Sequence, residues 1–160
     1  MPVYQRETRV RAPFDEVWSF HSKVSGLEAL TPEFMHLAVE EVVGPDGERD
    51  PEILEAGSAI TMSMRPFGVG PRQRWTSRIT DREESPGAAM FRDVMEGGPF
   101  RRWVHTHRFF ADGDETIVSD RVSYRLPLGP LGDAVGPLAV VGFEPMFRGR
   151  HRETKRVLED

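Results

Sequence analysis

Four side chains suited to proton transfer fall within one β-prone stretch of the sequence. His105 and His107 stand two residues apart, and Asp120 and Tyr124 follow them. A histidine oriented by a carboxylate exchanges protons near neutral pH, and a phenol can hydrogen-bond a developing enolate oxygen. These residue types suggest an acid–base site such as an aldol cyclase or a dehydratase needs. In the alternative interpretation, Asp120 pairs with an arginine of the sheet and Tyr124 only packs.

The histidine pair could also chelate a metal ion, because residues i and i+2 of a strand share a face. A protein metal site of this kind needs a third and usually a fourth ligand. Asp120, Glu144 and His151 are conceivable donors, but they have no recognisable metal-site spacing relative to the pair. We therefore predict hydrogen-bonded histidines, no metal site and no cofactor.

These residues belong to a predicted β-hairpin whose turn is Asp112-Gly113-Asp114. Period-two alternation gives each strand one face that mixes bulky apolar and polar side chains. On the two strands, this face holds Trp103, His105, His107 and Phe109, and then Val118, Asp120, Val122, Tyr124 and Leu126. Such a mixture is typical of a ligand cavity. The alternative is a solvent-facing hairpin with ordinary surface histidines.

The elements around this hairpin predict an α+β fold. Val3 to Val10 alternates weakly, as an edge strand does, and two short helices follow, the second ending at Pro32. About six antiparallel strands come next, separated by turns rich in glycine and proline. From Leu138 to Leu158, apolar residues recur at helical spacing, with Pro145 as a predicted kink. We expect a curved antiparallel sheet wrapped around this long C-terminal helix, in one domain spanning residues 1–160.

The same pattern predicts an apolar pocket between sheet and helix. Its predicted lining side chains are large and apolar, and the methionines among them would supply adaptable walls. They are Met62, Met64, Trp75, Trp103, Phe109, Phe143 and Phe147. A cationic group for a carboxylate or phosphate could be placed at the pocket mouth by Arg148, Arg150, His151 and Arg152. Plain core packing and a solvated helix face are the alternatives.

Composition narrows the range of functions. The chain has no cysteine, which excludes disulfides, thiolate metal sites and a cysteine nucleophile. Its net charge of −5 argues against general attraction to nucleic acid. The N-terminus is charged where a secretory peptide is apolar, and no segment has the length of a membrane span. We expect a cytoplasmic protein, whose oligomeric state the sequence does not predict.

Three stretches resemble the START-like, helix-grip superfamily, also called SRPBCC or polyketide cyclase/dehydrase-like. The opening strand and helix match its signature, a W-x-H-x-H hairpin resembles one branch, and the end of the chain resembles that branch's closing helix. In order, these stretches are Val10-x-Ala12-Pro13-x-x-x-Val17-Trp18-x-Phe20, Gly98-Pro99-Phe100-x-x-Trp103-x-His105-x-His107-x-Phe109 with Asp120-Arg121-Val122-x-Tyr124-x-Leu126-Pro127, and Phe147-x-x-Arg150-His151-x-x-Thr154. Proteins of this branch are often labelled cell-division-inhibitor-like.

The resemblance implies a hydrophobic ligand pocket between the sheet and the C-terminal helix. We therefore expect the protein to bind a small, largely apolar molecule with at least one polar group. A cyclase or dehydratase that uses the same cavity, with His105, His107, Asp120 and Tyr124 as its catalytic residues, is the first alternative. A protein-interaction module is the second, and it would need an exposed apolar patch and little cavity.

Overall fold

The computed structural model describes residues 1–159. Within these residues, seven strands, four α-helices and three short 3₁₀ turns follow one another. The strands are β1 (Val3–Val10), β2 (Ala38–Val43), β3 (Ala59–Met64), β4 (Gln73–Ser85), β5 (Ala88–Glu96), β6 (Arg102–Asp112) and β7 (Glu115–Arg125). The helices are α1 (Phe14–His21), α2 (Val24–Leu30), α3 (Gly129–Val135) and α4 (Val140–Leu158), and the 3₁₀ turns are Glu33–Met35, Pro66–Gly68 and Gly136–Ala139.

The strands form one antiparallel, curved sheet in the order β1-β7-β6-β5-β4-β3-β2. β2 to β7 follow the chain as successive antiparallel neighbours, and β1 closes the far edge by pairing with β7. This arrangement confirms the predicted α+β helix-grip fold, including the edge position of β1.

The β6–β7 hairpin turns at Gly113, whose φ of +64° is a left-handed conformation that glycine adopts without steric cost. The register places His105 opposite Val122 and His107 opposite Asp120. Their side chains lie on the concave face, and all four residues are buried. The alternation predicted from sequence is therefore confirmed for both strands.

Helix α4 lies across the concave face and packs its aromatic residues against the sheet. Phe147 packs against Tyr4 of β1 with ring centroids 5.1 Å apart, and Phe143 meets Tyr124 of β7 edge to face at 4.9 Å. Pro145 lies within the helix, which continues to Leu158. The helix thus covers the sheet while leaving space beside Phe143 and Phe147.

Helix α1 covers the end of the concave face that contains Phe109. Trp18 packs against Phe109 of β6 with centroids 5.3 Å apart, and the Arg82 guanidinium lies over the Trp18 ring at 4.3 Å. Gly26 permits the close approach of α2, because a Cβ there would lie 2.1 Å from the carbonyl oxygen of Phe20. Within residues 1–159, no helix is long and apolar enough to cross a membrane.

Candidate functional site

A cavity of about 610 Å³ lies between the sheet, α2 and α4. Most of its wall is apolar and comes from the inward faces of β3 to β6 and from α4. Six of the seven side chains predicted to line it do so: Met62, Met64, Trp75, Trp103, Phe143 and Phe147. Residue spacing in the strands and in α4 therefore predicted part of the wall.

Phe109, the seventh, is fully buried behind the cavity. Its ring lies between Trp18, at 5.3 Å, and His21, at 4.8 Å. His21 itself lines the cavity, so Phe109 supports a wall residue and does not face the space. The face of the strand was predicted correctly, but the cavity does not extend that far along it.

Two aspartates and three histidines form a buried cluster at one wall of the cavity. We call Asp93, His105, His107, Asp120 and His151 the aspartate–histidine cluster. Antiparallel register creates it, since Asp93 on β5 pairs with His105 on β6, and His107 pairs with Asp120 on β7. His151 joins them from α4. Three members, Asp93, His105 and His107, line the cavity, and the other two lie behind them.

Asp120 accepts hydrogen bonds from all three histidines. Nε2 of His105 lies 2.7 Å from Oδ1, and Nε2 of His151 lies 2.6 Å from Oδ2. Nδ1 of His107 is 3.3 Å from Oδ1, while its Nε2 is 3.0 Å from Oδ2 of Asp93. The rings of His105 and His107 stack with centroids 3.5 Å apart. One carboxylate thus orients three imidazoles.

The cluster holds both carboxyl groups in the ionised form. Burial alone would raise the pKa of Asp120, but the hydrogen bonds from His105, His107 and His151 outweigh it and hold that pKa well below its usual range. Burial likewise acts to raise the pKa of Asp93, and the hydrogen bond from His107 with nearby positive charge lowers it overall. Each buried negative charge is therefore compensated by donors.

The two cavity-facing histidines of the cluster differ in protonation. Burial lowers the pKa of His105, and the neighbouring His107 lowers it further, so His105 is neutral near pH 7. Burial also opposes the charge on His107, but hydrogen bonds to Asp120 and Asp93 raise its pKa above the usual value. Because Nε2 of His105 donates to Asp120, its Nδ1 carries a lone pair and can act as a base.

Tyr124 lies outside this arrangement. Its hydroxyl donates to the carbonyl oxygen of Gly136 across 2.7 Å, and burial raises its pKa. The side chain is fully buried beneath the turn that leads into α4, and it is not among the residues that line the cavity. The structure therefore groups His105, His107 and Asp120 of the predicted catalytic set and keeps Tyr124 apart.

Sequence reasoning missed Asp93 and gave no special role to His21. Asp93 follows Phe91 at the spacing of one strand face, and that alternation was the available signal. His21 lies on the same helical stripe as Val17 and Trp18, and burial lowers its pKa to about 4. Arg150 of α4 also lines the cavity, and its Nε is buried without a hydrogen-bond partner among residues 1–159.

A metal-binding geometry is present within this cluster. Asp93, His105 and His107 each offer one ligand atom, and those atoms lie within 4.8 Å of one another. Arg150 and Lys23, which also line the cavity, add hydrogen-bond donors and positive charge. The polar wall can therefore hold a cation or receive an oxygen-rich group of a ligand.

A family model described as polyketide cyclase/dehydrase and lipid transport matches residues 10–146. The chain belongs to this family, which confirms the resemblance noted in its sequence motifs. The family description suggests hydrophobic ligand binding. No curated protein has a significantly similar sequence.

Solved structures share the fold at low sequence identity. A protein from Chromobacterium violaceum is 15% identical, with a TM-score of 0.67 over 100% of this chain and 99% of that one. A point mutant of norcoclaurine synthase from Thalictrum flavum, in complex with a transition-state analogue, is 18% identical, with a TM-score of 0.67 over 98% and 93% of the two chains. A protein from Thermus thermophilus is 18% identical, with a TM-score of 0.65 over 97% and 95%. At this identity the likeness shows the fold alone.

Proposed function

We propose that the protein binds a small, largely apolar molecule in the cavity between the sheet and α4, with an oxygen-bearing group of that molecule against the polar wall. The observation that carries this proposal is an apolar cavity of about 610 Å³ with the aspartate–histidine cluster in one wall. Ligand sites of drug-sized molecules commonly measure about 300–1,000 Å³ and combine apolar walls with few polar groups. The volume and the wall chemistry both match that pattern.

Two groups of the polar wall determine which polar function the ligand carries. Nδ1 of His105 can accept a hydrogen bond, while the guanidinium of Arg150 offers donors and a positive charge. Arg150 forms no salt bridge within residues 1–159, so a ligand carboxylate, enolate or carbonyl oxygen would supply the acceptor that its buried Nε lacks. We therefore expect an apolar body joined to a carbonyl or carboxyl group.

Ligand binding can be tested with a fluorescent fatty-acid probe and a cavity-filling variant. Met62→Trp places an indole in the wall, and Val69→Trp adds the same group on the exposed loop after Met64. We expect Met62→Trp to weaken probe binding at least about tenfold, because a mismatch of one methylene group in an apolar pocket already changes affinity by about that factor. Val69→Trp should bind like the wild type. Met64→Trp repeats the test if Met62→Trp does not fold.

Native mass spectrometry of the gently purified protein gives a second readout. A stoichiometric apolar companion that is absent from Met62→Trp would support the proposal. It would be contradicted if no companion were found and no fatty acid or aromatic ketone raised the melting temperature. The protein-interaction module would then be favoured.

A proton-transfer enzyme is the second candidate, and the position of His105 favours it. This histidine lines the cavity, is neutral near pH 7, and is oriented by a buried carboxylate 2.7 Å away. A neutral, oriented imidazole is a suitable general base for a proton beside a carbonyl group. In this proposal Asp120 and His107 are positioning residues, and Tyr124 positions the turn before α4.

Hydrogen–deuterium exchange at the α-carbon of cavity-bound ketones tests this candidate, because it follows proton abstraction without requiring the natural substrate. His105→Gln should slow the catalysed exchange by about 100-fold or more while leaving ketone affinity within a few-fold of the wild type. His36→Gln, which changes an exposed histidine, is the matched control. Exchange no faster than in buffer across a ketone panel that binds would leave binding as the function.

A further inference from the structure

We propose that Asp93, His105 and His107 form a binding site for a divalent transition-metal ion in the wall of the cavity. One ligand atom from each residue lies within 4.8 Å of the others, and all three side chains border the same space. The site is defined by two imidazoles and one carboxylate. It does not depend on the identity of any organic ligand.

Strand register brings the three donors together. Asp93 of β5 is the direct partner of His105 on β6, and His107 follows two residues later on the same face. Phe91 stacks on His107 at 3.9 Å between ring centroids and limits the tilt of that imidazole. The donors are thus attached to adjacent strands of a continuous sheet, which restricts their movement relative to one another.

Asp120 orients the two imidazoles as an outer-shell carboxylate orients metal ligands. It accepts from Nε2 of His105 at 2.7 Å and lies 3.3 Å from Nδ1 of His107. Each ring therefore directs its other nitrogen, Nδ1 of His105 and Nε2 of His107, away from Asp120. A carboxylate behind a ligating histidine is the usual arrangement in protein metal sites, where it sets the tautomer and strengthens the ligand.

The separation of two donor atoms also fits coordination. Nε2 of His107 and Oδ2 of Asp93 lie 3.0 Å apart. Two ligands at about 2.1 Å from a tetrahedral ion are about 3.4 Å apart, so these two atoms would separate by a few tenths of an ångström on binding. Binding would remove the proton that His107 Nε2 donates to Asp93 and release it to solvent, leaving both atoms on the ion.

The donor set selects the class of ion. Imidazole nitrogen favours Zn²⁺, Fe²⁺, Co²⁺, Ni²⁺ and Cu²⁺ over Mg²⁺ and Ca²⁺, and two histidines with one carboxylate leave open coordination positions. Within residues 1–159, no fourth histidine, aspartate or glutamate joins these three as a group within the same distance limit. The open positions therefore face the cavity, where water or a ligand oxygen can complete the shell. Arg150, in the same wall, adds positive charge and favours an anionic oxygen there.

Metal binding can be measured directly on tag-free, chelator-treated protein. Calorimetric titration with Zn²⁺ and visible spectroscopy with Co²⁺ should both show one ion per chain. Asp93→Asn keeps the shape and removes the charged ligand, and we expect at least about tenfold weaker binding. His107→Gln should do the same. His36→Gln changes a histidine outside the site and outside the cavity lining, and it should bind as the wild type does.

Asp120→Asn separates an outer-shell role from simple coordination. The variant retains all three ligands but cannot accept from both imidazoles as a carboxylate does, and we expect about 10- to 100-fold weaker Zn²⁺ binding. Circular dichroism of each variant establishes that it is folded. The proposal is overturned if folded wild-type protein binds neither ion, or if Asp93→Asn and His107→Gln bind both ions as tightly as the wild type. Probe binding, measured separately, is unaffected by either result.

Discussion

His151 of α4 donates its Nε2 proton to Oδ2 of Asp120 on β7 across 2.6 Å, so one buried carboxylate joins the C-terminal helix to the sheet. His105 shares the other oxygen of that carboxylate. The bond connects the element that covers the cavity with the strand that supports its polar wall. Fold stability and site geometry therefore depend on the same group.

Replacing Asp120 tests this connection. Asp120→Ala leaves three buried imidazole N–H groups without their acceptor, and we expect the free energy of unfolding to fall by about 3–5 kcal/mol. Urea denaturation at pH 7 measures the change. Asp133→Ala removes a carboxylate that pairs with Arg125 on the surface, and its denaturation midpoint should stay close to the wild-type value. Equal midpoints for the two variants would show that the carboxylate does not join helix and sheet.

Burial of His21 predicts a loss of stability in mild acid. Its pKa is about 4 in the folded protein, against 6.5 when exposed, because burial disfavours the charged ring. Between pH 6.5 and about 4 the unfolded chain binds a proton that the folded chain does not, so stability falls as the pH falls. The full contribution is about 3 kcal/mol, reached near pH 4. Below that pH this group adds no further loss.

The measurement compares unfolding free energies at pH 7 and pH 4.5 for three proteins. His21→Gln removes the titrating ring and should lose less stability on acidification than the wild type. His36→Gln, at an exposed position, should lose as much as the wild type. An unchanged pH dependence in His21→Gln would mean that the ring is accessible to protons in the folded state.

Local sequence patterns were sufficient for the fold and for part of the site. Alternation placed His105, His107 and Asp120 on the concave face, because side-chain direction in a strand follows from position alone. Asp93 was not recognised, because its pairing with His105 depends on the register between β5 and β6, which the intervening Gly97-Gly98-Pro99 turn sets in three dimensions. Register between strands is not visible in the periodicity of either one.

The sequence also could not show which inward-facing residues of a strand border the cavity and which are covered by a helix or a turn. Phe109 and Tyr124 lie on the predicted face, yet α1 covers the first and the turn at Gly136 covers the second. His151 was expected near the pocket mouth, but the path of α4 brings it to Asp120 behind the wall. These outcomes depend on where helices cross the sheet, and that is a property of tertiary packing.

Gly26 in α2 should tolerate no side chain. A Cβ at this position would lie 2.1 Å from the Phe20 carbonyl oxygen, so α2 would have to move away from α1. We expect Gly26→Ala to lower the free energy of unfolding by about 1–3 kcal/mol, the usual cost of overpacking. Thermal and urea denaturation measure the effect.

Gly142 supplies the matched control in helix α4. No atom outside its own helix neighbourhood lies within 4 Å of a Cβ built there. Gly142→Ala should therefore raise the free energy of unfolding by about 0.5–1 kcal/mol through the higher helix propensity of alanine. If the two alanine variants had the same stability, the contact between α1 and α2 would not constrain Gly26.

Phe67 is expected to control exchange of ligands with the cavity. It is 70% exposed, yet it borders the cavity and stacks on Phe34 with ring centroids 4.9 Å apart and an interplanar angle of 12°. Its φ of +58° is unusual for a side chain of this size, and the stacking partner helps to hold it there. The pair thus joins the 3₁₀ turns at 33–35 and 66–68, and both rings border the cavity.

Phe67→Ala removes this contact and should raise both association and dissociation rates of the fluorescent fatty-acid probe. An aromatic pair contributes about 0.5–1.5 kcal/mol, which corresponds to a rate change of about 2- to 10-fold if the pair must separate for passage. Stopped-flow fluorescence measures both rates. Val69→Ala changes an exposed apolar residue of the same loop that does not border the cavity, so it should leave them unchanged. Identical rates in the two variants, with probe affinity retained, would place the route of entry away from the Phe34–Phe67 pair.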